Sequence, residues 1–493
     1  MRQVFIKEFS CFTPIGLADR LDLDASCAYE CVADLMSRGV LKFRADNKRG
    51  EYEIDDGGDI AGKYQFVYVG LVIYKGTVIV VYPKYMDEEG LANDIINPDT
   101  RMKIQQIFRV LRKYGGSYSD IAAISEEGMR ANDRIALMLT LLEMYGEYGV
   151  YSNYVRTLRQ NGYGEISWER TVAMHQPYIS RNEPIYFDYE TVESTCDTSD
   201  YITRLHRCVL TACSKFMQES GIAEFLALDE VELSDDELED FGDLGQVNYR
   251  LDGERGVQFV TWKQDVIDLL KRFVNDDEPV VQTDEVVCLG TSSFYHVWET
   301  ACKVGFNDLL GKPVGKIGIK LSDTWRSCGH ETLLNIMPRP QWTHFVLEDG
   351  TEREVGCGVV DTLIPDTVSI WNSADGRRLF GIFDAKYYVP NLGDKVKGQP
   401  GVESVTKQIL YQRAYRDFIT AHEFDKVVNV FLVPSDEKAF VRMGHVAFPG
   451  VFDVPEMPFA DGVDMWKVPA ERIWLSLLKG KPLPDDILAR VYG

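Results

Sequence analysis

The segment that most limits what this chain can fold into is residues 378–388, RLFGIFDAKYY, an apolar run with an aspartate and a lysine inside it. Its apolar and aromatic residues predict a strand, and the Ala-Asp-Gly sequence at 374–376 predicts a hairpin turn back to an earlier strand at 367–371. Because side chains alternate along a strand, Asp384 and Lys386 should share one face, with apolar neighbours on both faces. This pattern predicts a central strand of a sheet.

Two opposite charges in such a strand need a physical reason, since burying each ion costs several kcal/mol even after the protein relaxes. A divalent cation gives one, because it compensates a buried carboxylate. Asp366 follows Pro365 at the head of the partner strand and can approach Asp384 across the hairpin. Two carboxylates could then hold Mg²⁺, or Mn²⁺, which lowers the pKa of a bound water, while Lys386 orients that water. The pattern therefore predicts phosphodiester hydrolysis.

The Asp-x-Lys spacing alone is a weak signal, because it also occurs at Asp46 and Lys48 and at Asp436 and Lys438, in sequences typical of turns. Only the pair within residues 378–388 lies in an apolar strand. The competing interpretation is a buried structural ion pair, since charged pairs also occur in networks without catalytic function. Both interpretations remain open at this point.

The residues around the hairpin predict the fold class. The spacing of Tyr295, Trp298 and Cys302 indicates a helix before the hairpin, and residues 404–421 indicate a second helix after it. The apolar run KVVNVFLV at 426–433 indicates a further strand. Helix, strands, helix and strand around a mixed sheet make an α/β (mixed α+β) core.

The N-terminal segment has the pattern of a winged helix-turn-helix. Leu17 and Leu21 have helical spacing, Ser26 can cap a second helix that Gly39 ends, and strand, turn and strand follow to residue 54. The sequence therefore predicts five parts: a winged helix-like domain at 1–60, a β-rich segment at 61–90, a mainly helical middle domain at 91–280, the mixed core at 281–440 and a C-terminal extension at 441–493.

Composition excludes some classes of protein and leaves others open. The ten cysteines include no CxxC pair, so reduced, buried thiols are a better interpretation than a zinc site. The start of the chain lacks the apolar stretch of a signal peptide and no run is long enough to span a membrane, so we expect a cytoplasmic protein. The net charge of −24 argues against nucleic acid at first, but much of the acid is clustered at 229–243, and a local basic groove remains possible.

Pro365 and Asp366, followed by Asp384 and Lys386, resemble the motif of the PD-(D/E)xK nuclease superfamily. The resemblance implies a core of a helix, a three-stranded antiparallel sheet, a helix and a further strand. It also implies that Glu299, on the helix before the hairpin, is a third metal ligand beside Asp366 and Asp384. Gln412, with Tyr415, would lie near the site on the second helix.

Four further segments resemble the LlaJI family of restriction endonucleases, whose nuclease component is similar to McrC: GEISWERTV at 164–172, HVWE at 296–299, MPRPQW at 337–342 and GIFDAKYY at 381–388. The resemblance implies a nuclease subunit for anti-phage defence that cuts double-stranded DNA, works with an McrB-like AAA+ GTPase and a methyltransferase, and forms a homo-oligomer. The chain contains no GxxxxGK motif followed by Ser or Thr, so any nucleotide-driven step must come from another protein.

Two other functions fit the same sequence. The first is a winged-helix DNA-binding or adaptor protein whose nuclease-like core is not catalytic. Its second helix carries Glu30 and Asp34 with only Arg38 as a base, whereas Asn47, Lys48 and Arg49 at the wing tip suit phosphate contact better. The second is a nuclease of DNA repair, which uses the same chemistry in a different pathway.

Overall fold

The computed structural model of the 493-residue chain describes residues 1–44, 63–87, 96–115, 133–275, 286–348, 351–357, 361–393, 396–451 and 458–493. Two larger sheets organise these residues, one mainly N-terminal and the other containing the hairpin of residues 367–385. A single hydrophobic core includes residues of both sheets and of the helices between them. The predicted mixed α/β class is therefore confirmed.

The described helices are α1 (Pro14–Leu21), α2 (Ala28–Ser37), α3 (Pro98–Gly115), α4 (Asp133–Tyr148), α5 (Trp168–Met174), α6 (Tyr201–Glu219), α7 (Ile222–Leu226), α8 (Leu244–Val257), α9 (Thr261–Asn275), α10 (Phe294–Gly305), α11 (Val402–Ala414), α12 (Arg416–Ala421), α13 (Ala470–Lys479) and α14 (Asp485–Tyr492). The described strands are β1 (Arg2–Lys7), β2 (Cys11–Phe12), β3 (Leu41–Arg44), β4 (Lys63–Phe66), β5 (Val69–Tyr74), β6 (Thr77–Tyr82), β7 (Tyr154–Gln160), β8 (Glu165–Ile166), β9 (Tyr178–Ser180), β10 (Glu183–Ile185), β11 (Glu190–Cys196), β12 (Val287–Thr291), β13 (Trp342–Glu348), β14 (Thr351–Cys357), β15 (Thr367–Asn372), β16 (Arg378–Ala385), β17 (Asn391–Leu392), β18 (Val396–Lys397), β19 (Lys426–Ser435), β20 (Val441–Val446) and β21 (Val463–Pro469).

The N-terminal sheet has four strands in the order β1, β6, β5, β12. Strands β5 and β6, in the segment predicted as β-rich, form a hairpin with Lys75 and Gly76 at its turn, both with positive φ. Gly70 pairs with Gly290 across β5 and β12, and a Cβ on either glycine would overlap the opposite backbone. Close strand contact at this point therefore requires glycine.

The two predicted N-terminal helices form as α1 and α2, and the Thr13 hydroxyl caps the first by accepting the N–H of Gly16. Strand β3 follows as expected and pairs antiparallel with β4, whose residues belong to the segment predicted as β-rich. The predicted return strand at 51–54 and the wing tip at 47–49 lie outside the described residues. Helix, helix and strand of the winged-helix pattern are thus present.

The middle region is mostly helical, from α3 to α9, but residues 154–196 depart from the prediction. Here β7, β11 and β8 form a three-stranded sheet and β9 pairs with β10. The prediction of a mainly helical region did not include these strands, and all seven side chains of β7 are exposed. Without a buried face, the strand has no apolar alternation by which sequence could reveal it.

The second sheet has five strands in the order β15, β16, β19, β21, β20. Strand β16 is antiparallel to β15 and parallel to β19, as expected for a mixed sheet. The predicted second helix is interrupted at Tyr415 and forms α11 and α12. Residues 441–493, predicted as an extension, supply β20 and β21 to this same sheet.

The alternation of β16 separates two packed faces. Leu379, Phe383 and Tyr387 belong to the core shared with the N-terminal sheet, α10 and α13. Phe380 and Ile382 pack on the other face, against α11 and α12. Because Asp384 follows the same alternation as Ile382, its side chain belongs to the face covered by α11.

In the described part of the chain, no helix is both long enough and apolar enough for a membrane span.

Candidate active site

Asp366 and Asp384 face each other at the open end of the β15–β16 hairpin. The register pairs Thr367 with Phe383, so antiparallel pairing continued by one residue sets Asp366 opposite Asp384. The Asp366 Oδ2 accepts a hydrogen bond of 2.9 Å from the N–H of Ala385, which fixes the carboxylate against the end of β16. The approach of the two aspartates predicted from the hairpin is present.

Lys386 completes this group. Its Nζ lies 3.1 Å from Asp384 Oδ2, and its side chain is 22% exposed, against 11% for that of Asp384. The Lys386 N–H donates to the carbonyl oxygen of Leu432 at 2.9 Å, which ties the residue after β16 to β19. The ammonium group is thus held beside a buried carboxylate and remains accessible to solvent.

The pKa of Asp366 differs from that of an ordinary aspartate. Burial raises the pKa of Asp366 to about 8, helped by the hydrogen bond with Asp384 and by the charges of Asp384 and Glu299, while the N–H of Ala385 lowers it. Two buried carboxyl groups in contact resist ionising together. At neutral pH and without a cation, Asp366 is therefore protonated and hydrogen-bonded to Asp384.

This raised pKa predicts a pH-dependent stability that Asp366→Asn removes. The native state binds a proton more tightly than the unfolded chain, whose aspartate has the ordinary value of 3.8. The stabilisation is complete below that value and is lost as pH rises to about 8. In thermal unfolding with EDTA, we expect the variant to have a Tm a few degrees above the parent at pH 8 and no such advantage at pH 4. Equal Tm differences at both pH values would contradict the assignment.

Glu299 lies on α10, as predicted, but its carboxylate is bound to neighbours on the same helix. Lys303 Nζ is 2.6 Å from Glu299 Oε1, and His296 Nδ1 is 3.5 Å from Oε2. Its charge still raises the pKa of Asp366. The described residues contain no group of three or more His, Cys, Asp or Glu side chains that could hold a metal ion. The structure thus unites Asp366 with Asp384 without adding Glu299 as a third ligand.

Lys303 is a site residue that the sequence analysis missed. Burial alone would lower the pKa of Lys303, but its hydrogen bond with Glu299 and the charges of Glu299 and Asp366 outweigh burial and raise it. The signal was available, because a lysine four residues after a glutamate on a helix is placed to pair with it. Lys303 therefore keeps a positive charge near Asp366.

Gln412 lies on α11, but its side chain is hydrogen-bonded to the backbone of Ala460. Its amide donates to the carbonyl oxygen of Ala460 at 2.9 Å and accepts the N–H of the same residue at 3.0 Å. The Tyr415 hydroxyl likewise donates to the carbonyl oxygen of Leu333. Neither side chain is brought to the carboxylates, and a catalytic role for Gln412 stays a prediction.

Tyr411, on α11, lies close enough to Asp366 and Asp384 for their charges to change its pKa. Burial raises its pKa, and the charges of Asp384 and Asp366 raise it further. Its hydroxyl donates to the carbonyl oxygen of Ile364 at 3.0 Å, two residues before Asp366. This hydrogen bond therefore holds the segment that contains Asp366 against α11. Sequence could not select it, because several polar residues share the buried face of α11.

The Asp366–Asp384 pair has the chemistry of a site for a hard divalent cation. Carboxylate oxygens are the preferred ligands of Mg²⁺, which binds proteins through one or two carboxylates and keeps several waters. When both carboxyl groups are ionised, they carry one more negative charge than Lys386 beside them balances, and such an ion would neutralise it. The arrangement thus fits a metal-assisted hydrolase and also explains why these charges are buried.

Comparison with known proteins gives three findings. A family model described as LlaJI restriction endonuclease matches residues 68–317 and 329–459, which include all five candidate site residues. A curated relative, the type II restriction enzyme BsuMI component YdjA of Bacillus subtilis, is 26% identical over 471 residues, covering 93% of this chain and 87% of that protein. A solved assembly of Thermococcus gammatolerans McrB AAA+ hexamers with bound McrC aligns over 97% of this chain and 99% of that chain, with 13% identity and a TM-score of 0.34. That score does not establish a common fold.

Proposed function

Because the chain belongs to the LlaJI restriction endonuclease family, we propose that it is the DNA-cleaving subunit of a restriction system and hydrolyses phosphodiester bonds with Mg²⁺ at Asp366 and Asp384. The observation that carries the proposal is the meeting of these two aspartates with Lys386 at the open end of one hairpin. A purely structural ion pair would need one carboxylate and one lysine. A bound divalent cation would give the second buried carboxylate a role as a ligand, which a structural ion pair does not require.

The residues of the site would have separate roles in the reaction. Asp366 and Asp384 would hold the metal, which when bound supplies a Lewis acid for the scissile phosphate and lowers the pKa of a bound water. The Lys386 ammonium, solvent-accessible and 3.1 Å from Asp384, can donate a hydrogen bond to the attacking water or to a phosphate oxygen. Lys303, paired with Glu299, adds positive charge near Asp366. Glu299 is proposed to act on the site through its charge.

We propose a PD-(D/E)xK core for this domain. Helix α10, the antiparallel hairpin β15–β16, helix α11 and the strand β19 follow the order of such a core. Between these two helices, the described residues of the sheet form two antiparallel strands, whereas the resemblance implies three. The acidic residue heading β15 and the Asp-x-Lys pair at the end of β16 occupy the positions of the motif. The support is this order and the convergence of the motif residues.

The proposed substrate is double-stranded DNA, and the proposed partner is an McrB-like AAA+ GTPase, encoded with a methyltransferase and used in anti-phage defence. The absence of a phosphate-loop motif from the sequence supports a separate motor protein. A pair of copies of this chain would supply the two active centres that a double-strand cut needs.

The competing winged-helix hypothesis gives no reason for the second carboxylate at the hairpin. On α2, Glu30 lies 3.2 Å from Lys75, and Asp34 accepts a hydrogen bond from the Tyr74 hydroxyl, so both acids are held by the adjacent hairpin β5–β6. If the N-terminal domain alone were functional, Lys48→Ala and Arg49→Ala would abolish DNA binding, and no divalent cation would be needed.

The proposal is tested by a cleavage assay with the full chain, with and without the GTPase encoded beside it. Supercoiled and linear DNA are incubated with Mg²⁺, with Mn²⁺, and with EDTA. We expect cleavage with either cation and none with EDTA, restored by added Mg²⁺. Undiminished cleavage in EDTA, or no cleavage with the partner and either cation, would refute the proposal.

A further inference from the structure

A buried charged cluster joins the N-terminal sheet to the strand that carries Lys386. Glu8 follows β1 and Lys84 lies two residues after β6, where the two parallel strands end side by side. They are 5% and 3% exposed. The third member is Tyr387, 3% exposed, the residue directly after Lys386. The cluster therefore connects segments almost 380 residues apart in sequence.

The contacts within this cluster are specific. The Tyr387 hydroxyl donates to Glu8 Oε2 at 2.5 Å, and the N–H of Lys84 donates to the same oxygen at 3.2 Å. Lys84 Nζ lies 4.3 Å from the centre of the Tyr387 ring and 4.2 Å from that of Phe9. Burial raises the pKa of Glu8, and the charge of Lys84 counteracts that rise. Each member is thus held by the other two.

Tyr387 also contacts the helix that carries Glu299. Its ring packs edge-on against Phe294, the first residue of α10, with ring centres 5.4 Å apart. Farther along α10, Trp298 Nε1 donates to the carbonyl oxygen of Leu432, which also accepts the N–H of Lys386. The backbone of Lys386 is therefore fixed on one side by β19 and on the other by the anchor of Tyr387.

Stability alone does not explain this cluster, because a buried ion pair is often no more stable than apolar residues of the same size. Its hydrogen bond instead fixes one position of Tyr387. We propose that Glu8, Lys84 and Tyr387 are positioning residues, which hold the end of β16 so that the Lys386 ammonium stays directed at Asp384. Through them, the N-terminal sheet sets the geometry of the catalytic lysine. This inference rests on the proposed nuclease function.

The test uses Tyr387→Phe in the full chain, with its partner GTPase if cleavage requires it. Only the hydroxyl that binds Glu8 is removed. We expect the single-turnover cleavage rate to fall about 10-fold to 100-fold, since small misplacements of catalytic groups have effects of that size. The affinity for Mn²⁺ should change less than about twofold, because Asp366 and Asp384 are held by other contacts.

Tyr85→Phe is the matched control. Tyr85 is a buried tyrosine whose ring centre lies 6.3 Å from that of Tyr387, and its hydroxyl accepts a hydrogen bond from Trp474 Nε1. Tyr85→Phe and Tyr387→Phe each remove one hydroxyl from a buried tyrosine, so both variants should lose thermal stability. Only Tyr387→Phe should lose cleavage rate.

A double-mutant cycle with Lys386→Met separates positioning from general destabilisation. If Tyr387 acts through Lys386, Tyr387→Phe should cause no further loss of rate once Lys386 is replaced. Equal losses in both backgrounds, or equal rates for Tyr387→Phe and Tyr85→Phe, would overturn the inference while the nuclease function stands. Failure of the parent protein to cleave DNA under any condition would instead refute both this inference and the proposed nuclease function.

Discussion

Asp384→Asn is expected to lower the rate of DNA cleavage at least about 1,000-fold, because it removes one of the two carboxylates that meet at the proposed metal site. Asparagine has nearly the same shape, and Asp384 lies at the end of the sheet beside Lys386, so the fold should survive. Single-turnover cleavage of a DNA fragment at saturating Mg²⁺ measures the loss, and circular dichroism checks the fold.

The chain supplies its own control for this substitution. Asp436 belongs to the second described Asp-x-Lys sequence and pairs with Lys103 at 2.8 Å, outside the proposed site. Asp436→Asn should lose this ion pair and retain cleavage within a few-fold of the parent. Equal loss in the two variants would show that the effect of Asp384→Asn does not come from the site.

Lys386→Met is expected to lower the cleavage rate about 100-fold to 1,000-fold, the effect of removing one donor to the developing charge. The methionine keeps the length of the side chain, so the change isolates the ammonium group that lies 3.1 Å from Asp384. Lys386→Arg should also be impaired, because the planar guanidinium does not reproduce the geometry of an ammonium group. Rates at saturating DNA and Mg²⁺ distinguish this loss from weaker binding.

Lys438→Met is the matched control for the lysine, since Lys438 occupies the same place in the second Asp-x-Lys sequence. It should cleave at the rate of the parent. Full activity of Lys386→Met under the same conditions would contradict a catalytic role for Lys386 and favour a structural ion pair with Asp384.

The part of the site within one hairpin could be predicted from sequence, because its determinants are local. Alternation in residues 378–388 places Asp384 and Lys386 on one face, and the turn at 374–376 sets the register that brings Asp366 opposite Asp384. The apolar residues on both sides show that this strand is buried. Local periodicity was sufficient for these three residues.

The residues on helices were harder to predict, since their roles depend on how each helix is rotated against the sheet. Gln412 and Tyr411 are neighbours on α11 and both are buried. Only tertiary packing directs Gln412 to Ala460 and places Tyr411 where the charges of Asp366 and Asp384 act on it. Helical spacing does not distinguish the two.

Long-range contacts were not predictable from one sequence. Glu8 and Lys84 have no local feature that links them to Tyr387, because their contact depends on how the two sheets pack. Strand β7 escaped prediction for a different reason, since its exposed side chains carry no apolar period. In both cases the missing information is tertiary.

Calorimetric titration of Mn²⁺ into the full-length chain at pH 7 tests most directly whether Asp366 and Asp384 hold the cation for cleavage. We predict binding by the parent with release of about one proton, because Asp366, with a pKa of about 8, must ionise to bind the metal. We also predict that binding is lost in the double variant Asp366→Asn, Asp384→Asn. Unchanged Mn²⁺ affinity in that variant would contradict the assignment of this pair as the metal site.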